Sequence, residues 1–297
     1  MPTIEENRSL FDGTYTWPQA GEEWSEPWGS VPMQWHGSIL PRINPFVPAD
    51  TILEVGPGYG RWTAFLKDLC KRLIVVDLAE SCINRCRERF ANCSQIVYFV
   101  NDGESLEMVT DSSVDFIFSF DSLVHAEASV LKAYSAEFAK KLRPDGVAFI
   151  HHSNLGEYTR RIKFQAHLSR VPKLYRWLER LSFCDNLATQ WRACSMTAAK
   201  MALFAQECGL ECVGQELITW ETRFVLVDCL STLVPHGSKW SRPNRILRNP
   251  GFMLEAKQLA DLSRLYAWPS VAKSPGHHNP QEANPLQASS SHGEAAI

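Results

Sequence analysis

The sequence predicts an α/β fold, a mostly parallel sheet with helices on both faces, and three observations carry that prediction. From Thr51 to Asn154, short β-branched and apolar runs alternate with longer segments of helical period, the pattern of strand–helix–strand crossovers. The first apolar run ends in Glu54-Val55-Gly56-Pro57-Gly58-Tyr59-Gly60, three glycines at alternate positions where a strand gives way to a helix. Such a bend lets backbone turn sharply and approach a ligand closely. Further on, two strand-like runs, Glu211 to Trp220 and Arg223 to Leu233, are separated only by Glu221-Thr222. So short a connection predicts a hairpin, and hence an antiparallel edge to the sheet.

Taken in order, strands are expected at Thr51 to Val55, Leu73 to Asp77, Ile96 to Val100, Val114 to Phe120 and Gly146 to His151. Helices fit Arg61 to Cys70, Ser81 to Phe90, Val130 to Leu142 and Thr197 to Cys208. The third is closed by Arg143-Pro144-Asp145-Gly146, where proline cannot continue a helix and glycine permits a tight turn. Residues 1–45 carry Trp17, Trp24, Trp28 and Trp35, too dense for a disordered arm and too irregular for one helix; they read as an aromatic cap. The main domain is expected at 46–235, interrupted at about 155–195 by a helical lid. In that lid Arg160, Arg161, Lys163, Arg170, Lys173, Arg176 and Arg180 face one acid, Glu179. A helical extension, 236–269, and a low-complexity tail, 270–297, expected to be disordered, complete the division. No internal repeat is visible.

With 30 basic and 33 acidic side chains in 297 residues, the chain has no global basic field to draw in nucleic acid or an anionic membrane. The start lacks a basic segment followed by an apolar run, and 18 apolar residues never occur consecutively, so a cytoplasmic protein without stable membrane insertion is expected. Nine cysteines, none in C-x-x-C spacing, read as reduced packing thiols rather than a metal site. Cys82 and Cys86, and Cys208 and Cys212, would each share one helix face. The sequence is silent on oligomeric state.

Two acidic residues join the glycine bend. Asp77 ends the run Leu73 to Val76, seventeen positions beyond Gly60, where a parallel neighbour brings it beside the bend to accept ribose hydroxyls. Asp102, in Asn101-Asp102-Gly103, ends the next strand and is placed to hold an adenine amino group. A glycine bend alone is a turn, and an acid after a strand alone is a cap. Three such features in chain order, each at a strand's carboxyl end, mark the edge where ligands gather in open α/β sheets. The dinucleotide pattern requires a third glycine at position 61, which is Arg61, so an NAD enzyme is disfavoured.

These motifs, with Val114-Asp115-Phe116-Ile117-Phe118-Ser119-Phe120 and Lys141-Leu142-Arg143-Pro144-Asp145-Gly146, resemble the successive motifs of class I S-adenosylmethionine-dependent methyltransferases. The resemblance implies a Rossmann-like, seven-stranded sheet with an antiparallel last strand. It also implies S-adenosyl-L-methionine as cofactor, with Glu54, Gly56, Gly58 and Gly60 around its methionine part. Asp77 and Leu78 would lie at the ribose, Asp102 and Gly103 at the adenine, and Phe120 beneath the cofactor.

Methyl transfer to a hydroxyl calls for a general base. His125, in Phe120-Asp121-Ser122-Leu123-Val124-His125-Ala126-Glu127, is the first candidate, with Asp121 or Glu127 as its orienting carboxylate. Of the adjacent pair His151 and His152 only one can face a given site, and His152 is favoured. Arg42 is placed either on the cofactor carboxylate or at the surface. The spacing of Asp121, Glu127 and a histidine forces no metal site. Phe11-Asp12, Glu22-Glu23-Trp24-Ser25, Gln34-Trp35 and His151-His152-Ser153-Asn154 are similar to bacterial methyltransferases that act on saccharides, and no Asn-Pro-Pro-Tyr motif of amide and adenine N-methyltransferases follows the fourth strand. The expectation is O-methylation of a saccharide hydroxyl. The alternatives are a phenol, carboxylate or lipid head group as acceptor, or a catalytically silent cofactor-binding subunit.

Overall fold

The computed structural model describes residues 3–168, 170, 191–220, 222 and 225–266. Its strands are β1 (Ala49–Val55), β2 (Cys70–Asp77), β3 (Ile96–Val100), β4 (Val114–Ser119), β5 (Leu142–Ser153), β6 (Leu210–Ile218), β7 (Asp228–Pro235) and β8 (Arg245–Asn249). They form one sheet in the order β3-β2-β1-β4-β5-β7-β6-β8. β7 runs antiparallel to both neighbours and every other pairing is parallel. The reversed strand is therefore present, in a Rossmann-like α/β sheet with helices on both faces.

Three expectations need correction. The sheet has eight strands, because the extension after β7 contributes β8 before its helix. β8 lies at the edge with Ile246 and Leu247 about 60% exposed (61% and 60%), so no alternation of burial marked it. The link between β6 and β7 is nine residues, 219–227, not a two-residue turn. Val225, Leu226 and Val227 are apolar because they are buried in a tight loop, where Val227 donates to the Val225 carbonyl, not because they ladder. Finally, Arg143-Pro144-Asp145-Gly146 is not a turn but a bulge within β5, where pairing steps from Val114↔Leu142 to Phe116↔Val147.

The principal helices are α1 (Ile4–Ser9), α2 (Glu80–Arg89), α3 (Ala128–Lys141), α4 (Thr159–Leu168), α5 (Ala198–Glu207) and α6 (Phe252–Tyr266). The helix expected from Arg61 shrinks to Thr63–Leu66 and a following turn, because β2 already begins at Cys70. Cys82 and Cys86 share the buried face of α2, whereas Cys208 ends α5 and Cys212 lies in β6, so the second pair shares no helix. The basic residues Lys173, Arg176 and Arg180, and the tail 270–297, lie outside the described residues.

Strand alternation splits the core into two layers. Ile52, Leu73, Val75, Phe116, Phe118, Phe120, Val147 and Phe149 face one side, and the N-terminal segment, α2 and α6 cover them. Leu53, Val55, Ile74, Val76, Ile117, Ala148 and Ile150 face the other, beneath α3 and α5. In the first layer Trp28 and Trp35 are wholly buried, and the Trp28 indole N–H donates to Ser38 Oγ at 2.7 Å.

Arg42 fastens this segment to the far side of the sheet. It reaches neither cofactor nor open surface: Nε and Nη2 donate to the two Glu216 oxygens at 2.6 and 2.7 Å, and Glu255 lies at 3.5 Å. A partly buried, two-pronged pair of this kind leaves a stranded carboxylate when its cation is removed. Arg42→Ala is expected to cost about 1–3 kcal/mol in urea unfolding, while nucleoside affinity at the opposite edge stays at the wild-type level.

Candidate active site

A cleft of about 300 Å³ opens at the carboxyl ends of β1, β2 and β3 and along the segment after β4. Val55, Val76, Leu78, Leu123 and Val130 give it apolar walls, and Asp77, Ser122, His125, Glu127 and Tyr134 supply polar groups. Ile4, Asn7 and Phe11 border it from the N-terminal segment.

The glycine bend is left-handed throughout, with φ of +73° at Gly56, +56° at Gly58 and +83° at Gly60. Only Gly56 lines the cleft. A Cβ there would lie 1.8 Å from Ser122 Oγ, so the absence of a side chain lets the segment after β4 close onto the bend. Gly58 makes room for Trp17, which stacks on Tyr59 at 4.3 Å, and Gly60 makes room for Phe90. Two of the three glycines therefore serve packing rather than direct contact with the cleft.

Asp77 stands on the cleft wall, with Oδ2 accepting from the Gly58 N–H at 3.2 Å and Oδ1 from Ala79 at 2.9 Å. Burial pushes its carboxyl up to about 6, against those two bonds. Leu78 and Gly103 also line the cleft. Asp102 does not. It is exposed, and its Oδ1 accepts from Glu104 and Ser105 backbone at 2.9 and 2.7 Å, which holds its pKa below the ordinary carboxylate value. Its neighbour Asn101 turns inward, donating to the Tyr134 hydroxyl at 2.9 Å and leaving Oδ1 buried and unpaired.

Glu54 and Phe120 are also displaced from the expected positions, because both belong to the first-layer side of their strands and the cleft is walled by the second. Glu54 is buried, takes a hydrogen bond from Thr63 Oγ1 at 2.6 Å, and has Oε1 unpaired. Burial raises it to about 8, so it is protonated at neutral pH. Phe120 packs against Trp62 and His151 at ring distances of 5.8 and 4.6 Å.

The histidines divide by their partners. His125 borders the cleft with Nδ1 against the Trp191 carbonyl; a carbonyl only accepts, so Nδ1 carries the proton and Nε2 keeps its lone pair. Burial lowers its pKa to about 4, against the pull of that carbonyl. Neither expected carboxylate orients it: Asp121 pairs with Arg61 at 2.8 Å and Glu127 takes the Ser195 hydroxyl. His152 is a satisfied structural histidine, bonded to the Ser153 carbonyl at 2.9 Å and Ser231 Oγ at 2.8 Å. His151, on the first-layer side with Phe120, instead meets the turn after β4: its Nδ1 accepts from the Asp121 N–H at 3.1 Å and its Nε2 is 3.3 Å from Asp228.

These contacts form a buried polar chain across the carboxyl edge, from Arg61 to Asp121, His151, Asp228 and Arg192. Asp228 is fully buried; burial opposes its charge, but the two-pronged Arg192 at 2.7 and 2.8 Å and His151 hold it well below the usual range. Sequence reasoning used Arg61 only as a missing glycine and passed over Asp228. The available signal was a single acid inside the apolar run Val225-Leu226-Val227-Asp228-Cys229-Leu230, since an isolated charge in such a run needs a buried partner. Among the described residues no group of three or more His, Cys, Asp or Glu is placed to hold a metal ion, and no helix is long and apolar enough to cross a membrane.

Residues 52–146 match the family model described as a methyltransferase domain. Phosphoethanolamine N-methyltransferase 1 of Triticum aestivum is 30% identical over 113 residues, 37% of this chain and 23% of that protein. The biotin biosynthesis bifunctional protein BioHC of Cellvibrio japonicus is 34% identical over 163 residues, 55% of this chain and 28% of that protein. The chain thus spans about a quarter of the length of these curated relatives. Among solved structures, the N-methyltransferase NodS of Bradyrhizobium japonicum in complex with S-adenosyl-L-homocysteine superposes with a TM-score of 0.50 at 16% identity, over 80% of this chain and 100% of that one. The chain carries a methyltransferase domain in the corresponding fold.

The raised Glu54 pKa has a consequence for stability. The folded state holds this proton more tightly than the unfolded chain, so its contribution is full below the ordinary glutamate pKa and is lost as pH rises through about 8. Glu54→Gln, which cannot ionise, is expected to melt near wild type at pH 5 and several degrees above it at pH 9. Parallel melting curves across that range would show that Glu54 ionises without penalty.

Proposed function

We propose that this chain transfers a methyl group from S-adenosylmethionine to a hydroxyl of a saccharide, with His125 as the general base. The observation that carries the reading is one cleft in which a glycine bend, a carboxylate at the tip of β2 and a histidine with one unengaged nitrogen meet. The residues fit such a nucleoside. Val76, Leu78, Leu123 and Val130 offer flat apolar walls for a base, Asp77 suits vicinal ribose hydroxyls, and Glu127, which also lines the cleft, has Oε1 buried without a partner, suited to an amino group.

When bound, S-adenosylmethionine supplies an electrophilic methyl carbon on a sulfonium centre and leaves as the neutral thioether. The chain's part is to align the acceptor oxygen, exclude water and receive a proton. Trp191 fixes the imidazole tautomer, so Nε2 takes the proton as the oxygen–carbon bond forms. A pKa of about 4 makes a weak base but keeps the ring neutral. It is sufficient because the hydroxyl proton becomes strongly acidic as the oxygen acquires its third bond. In this reading residues 1–45 form a cap on the methyltransferase domain at 46–235.

His125→Ala is expected to lower kcat by roughly 10²- to 10⁴-fold, with S-adenosylhomocysteine affinity within a few fold of wild type. At saturating cofactor and acceptor, kcat should hold down to about pH 5, since His125 remains neutral until about pH 4. The relatives whose names specify N-methyltransferases favour a second reading, an amine acceptor. A deprotonated amine needs no base, so near-wild-type turnover in His125→Ala would select that reading.

Asp77→Ala removes an acceptor for two hydroxyls, and calorimetry should show S-adenosylhomocysteine affinity reduced at least about tenfold, since hydrogen bonds to a charged group contribute roughly 1.5–3 kcal/mol each. Wild-type affinity should itself fall as pH drops through about 6, where Asp77 takes up a proton. An affinity insensitive to both changes would remove Asp77 from the cofactor site.

A further inference from the structure

We infer that residues 3–14 are a cover that the cofactor must lift, and that Asn7 is a positioning residue through which closing of the cover sets the His125 tautomer. This rests on the methyl-transfer reading with His125 as base, and adds how the site is entered and when the base is ready.

Each turnover admits one nucleoside and releases another, so some wall of the cleft has to move. Val55, Val76, Leu123, Ala126, Val130 and Tyr134 line one side and belong to the second core layer. Thr3, Ile4, Glu5, Asn7 and Phe11 line the other, and α1, which supplies three of them, buries none of its six residues. Local opening starts where the least apolar surface is buried, which is the N-terminal side.

The cover also has a defined end. Trp17, Ala20 and Gly21 hold φ of +48°, +56° and +85°, so the chain is left-handed three times within positions 17–21. That conformation is uncommon for Trp and Ala, and such residues gather at switch points. Trp17 is pinned on Tyr59, with ring centroids 4.3 Å apart, and gives the chain before it a fixed pivot. Toward its tip the cover is held by polar contacts at Asp12, whose Oδ1 accepts from the Ser81 N–H and hydroxyl at 2.9 Å, and by Ile4 packed beside Gly103.

Asn7 ties this cover to the base. Its Nδ2 donates to the His125 carbonyl at 3.3 Å, and its Oδ1 accepts from the Trp191 indole N–H at 3.1 Å. The Trp191 carbonyl in turn accepts from His125 Nδ1. The three residues thus close a ring of hydrogen bonds, although His125 and Trp191 lie 118 and 184 positions beyond Asn7. Asparagine is among the poorer helix formers, so these two bonds, and not the helix, account for its place inside α1.

A neutral imidazole exposed to water populates both tautomers, and the partner of one nitrogen decides between them. While the Trp191 carbonyl stands against Nδ1, Nε2 is the nitrogen that can take a proton. The backbone beyond Trp191 is tethered separately, by the Ala193 N–H on the Val124 carbonyl at 3.0 Å and by Arg192 on Asp228. Asn7 therefore aims the Trp191 carbonyl and does not hold the loop in place. With the cover open the indole loses its acceptor and the carbonyl its fixed direction; with the cover closed, water is shut out and the base is set in one movement.

The test needs no acceptor. Calorimetry with S-adenosylhomocysteine comes first, because a wild-type chain that does not bind it overturns the methyl-transfer reading and this inference with it. In a chain that binds it, S-adenosylhomocysteine should slow amide hydrogen exchange across residues 4–12 by at least about tenfold, and far less from Trp28 to Ile43. Nitrogen-15 NMR of histidine-labelled protein, with His125 assigned by its loss in His125→Ala, should show a neutral ring protonated at Nδ1 in the wild-type complex. Asn7→Ala places the best helix former in α1, so it should melt near wild type. It should weaken S-adenosylhomocysteine binding by roughly three- to tenfold and move the His125 ring to a mixture of tautomers. Trp191→Phe, which keeps a ring and loses the indole N–H, should act likewise, and the double variant should be no worse than either single one. A His125 ring protonated at Nδ1 alone in both variants would overturn the coupling, and exchange across 4–12 that ignores S-adenosylhomocysteine would overturn the cover.

Discussion

Arg61 and Asp121 meet at 2.8 Å with both side chains about nine-tenths buried, and most of the site takes its shape from that contact. Arg61 is the residue after the glycine bend, and Asp121 the second beyond β4, so the pair ties the bend of β1 to the tip of β4. It does so through a backbone that Asp121 holds at φ +63°, a conformation uncommon for a side chain of this kind. The turn directs its own N–H to His151 and sends the next residue, Ser122, against Gly56. A cation and an anion withdrawn together from water gain little net stability, but removing either one leaves a buried charge, a loss on the order of 3–5 kcal/mol. The pair thus fixes geometry more than it stabilises the fold.

Alternation along the strands explains the division of labour around that pair. Successive residues point to opposite layers, so one strand tip serves both the cleft and the aromatic core layer. Val55 and Val76 wall the cleft while Glu54 and Val75 enter the aromatic layer; Phe120 and His151 enter that layer while Ser122, Leu123 and His125, beyond the turn, return to the cleft. Hence the two histidines of β5 differ so sharply. His152 meets Ser231 on one side of the sheet, and His151, one residue away, meets Asp121 and Asp228 on the other.

The sequence made visible what depends on local order. Five strands, the bend at Gly56, Asp77 at the tip of β2 and His125 beside the cleft all follow from apolar runs ending in punctuation. It concealed what depends on long-range pairing. Asp102 and Asn101 are neighbours of similar polarity, and only the direction in which the chain leaves β3 decides that Asn101 turns inward. Asp121 and Glu127 flank His125 in sequence, yet their partners, Arg61 and Ser195, come from 60 and 68 positions away. β8 was hidden for another reason: at an edge both faces stay wet, so the alternation that reports a strand is absent.

The N-terminal segment covers both the cleft and the first core layer, but not with equal strength. Its first part lies over the cleft, and α1 buries none of its residues; it is held by a capping box at Thr3 and Glu6 and by single contacts such as Asn7 to the His125 carbonyl. Its later part, from Trp28 to Ile43, is embedded in the first core layer and anchored by Arg42 on Glu216. Local opening follows buried apolar contact, so displacing residues over the cleft costs far less than displacing the stretch from Trp28 to Ile43. The cleft therefore has a weakly held cover, whereas the aromatic part of the same segment belongs to the core itself.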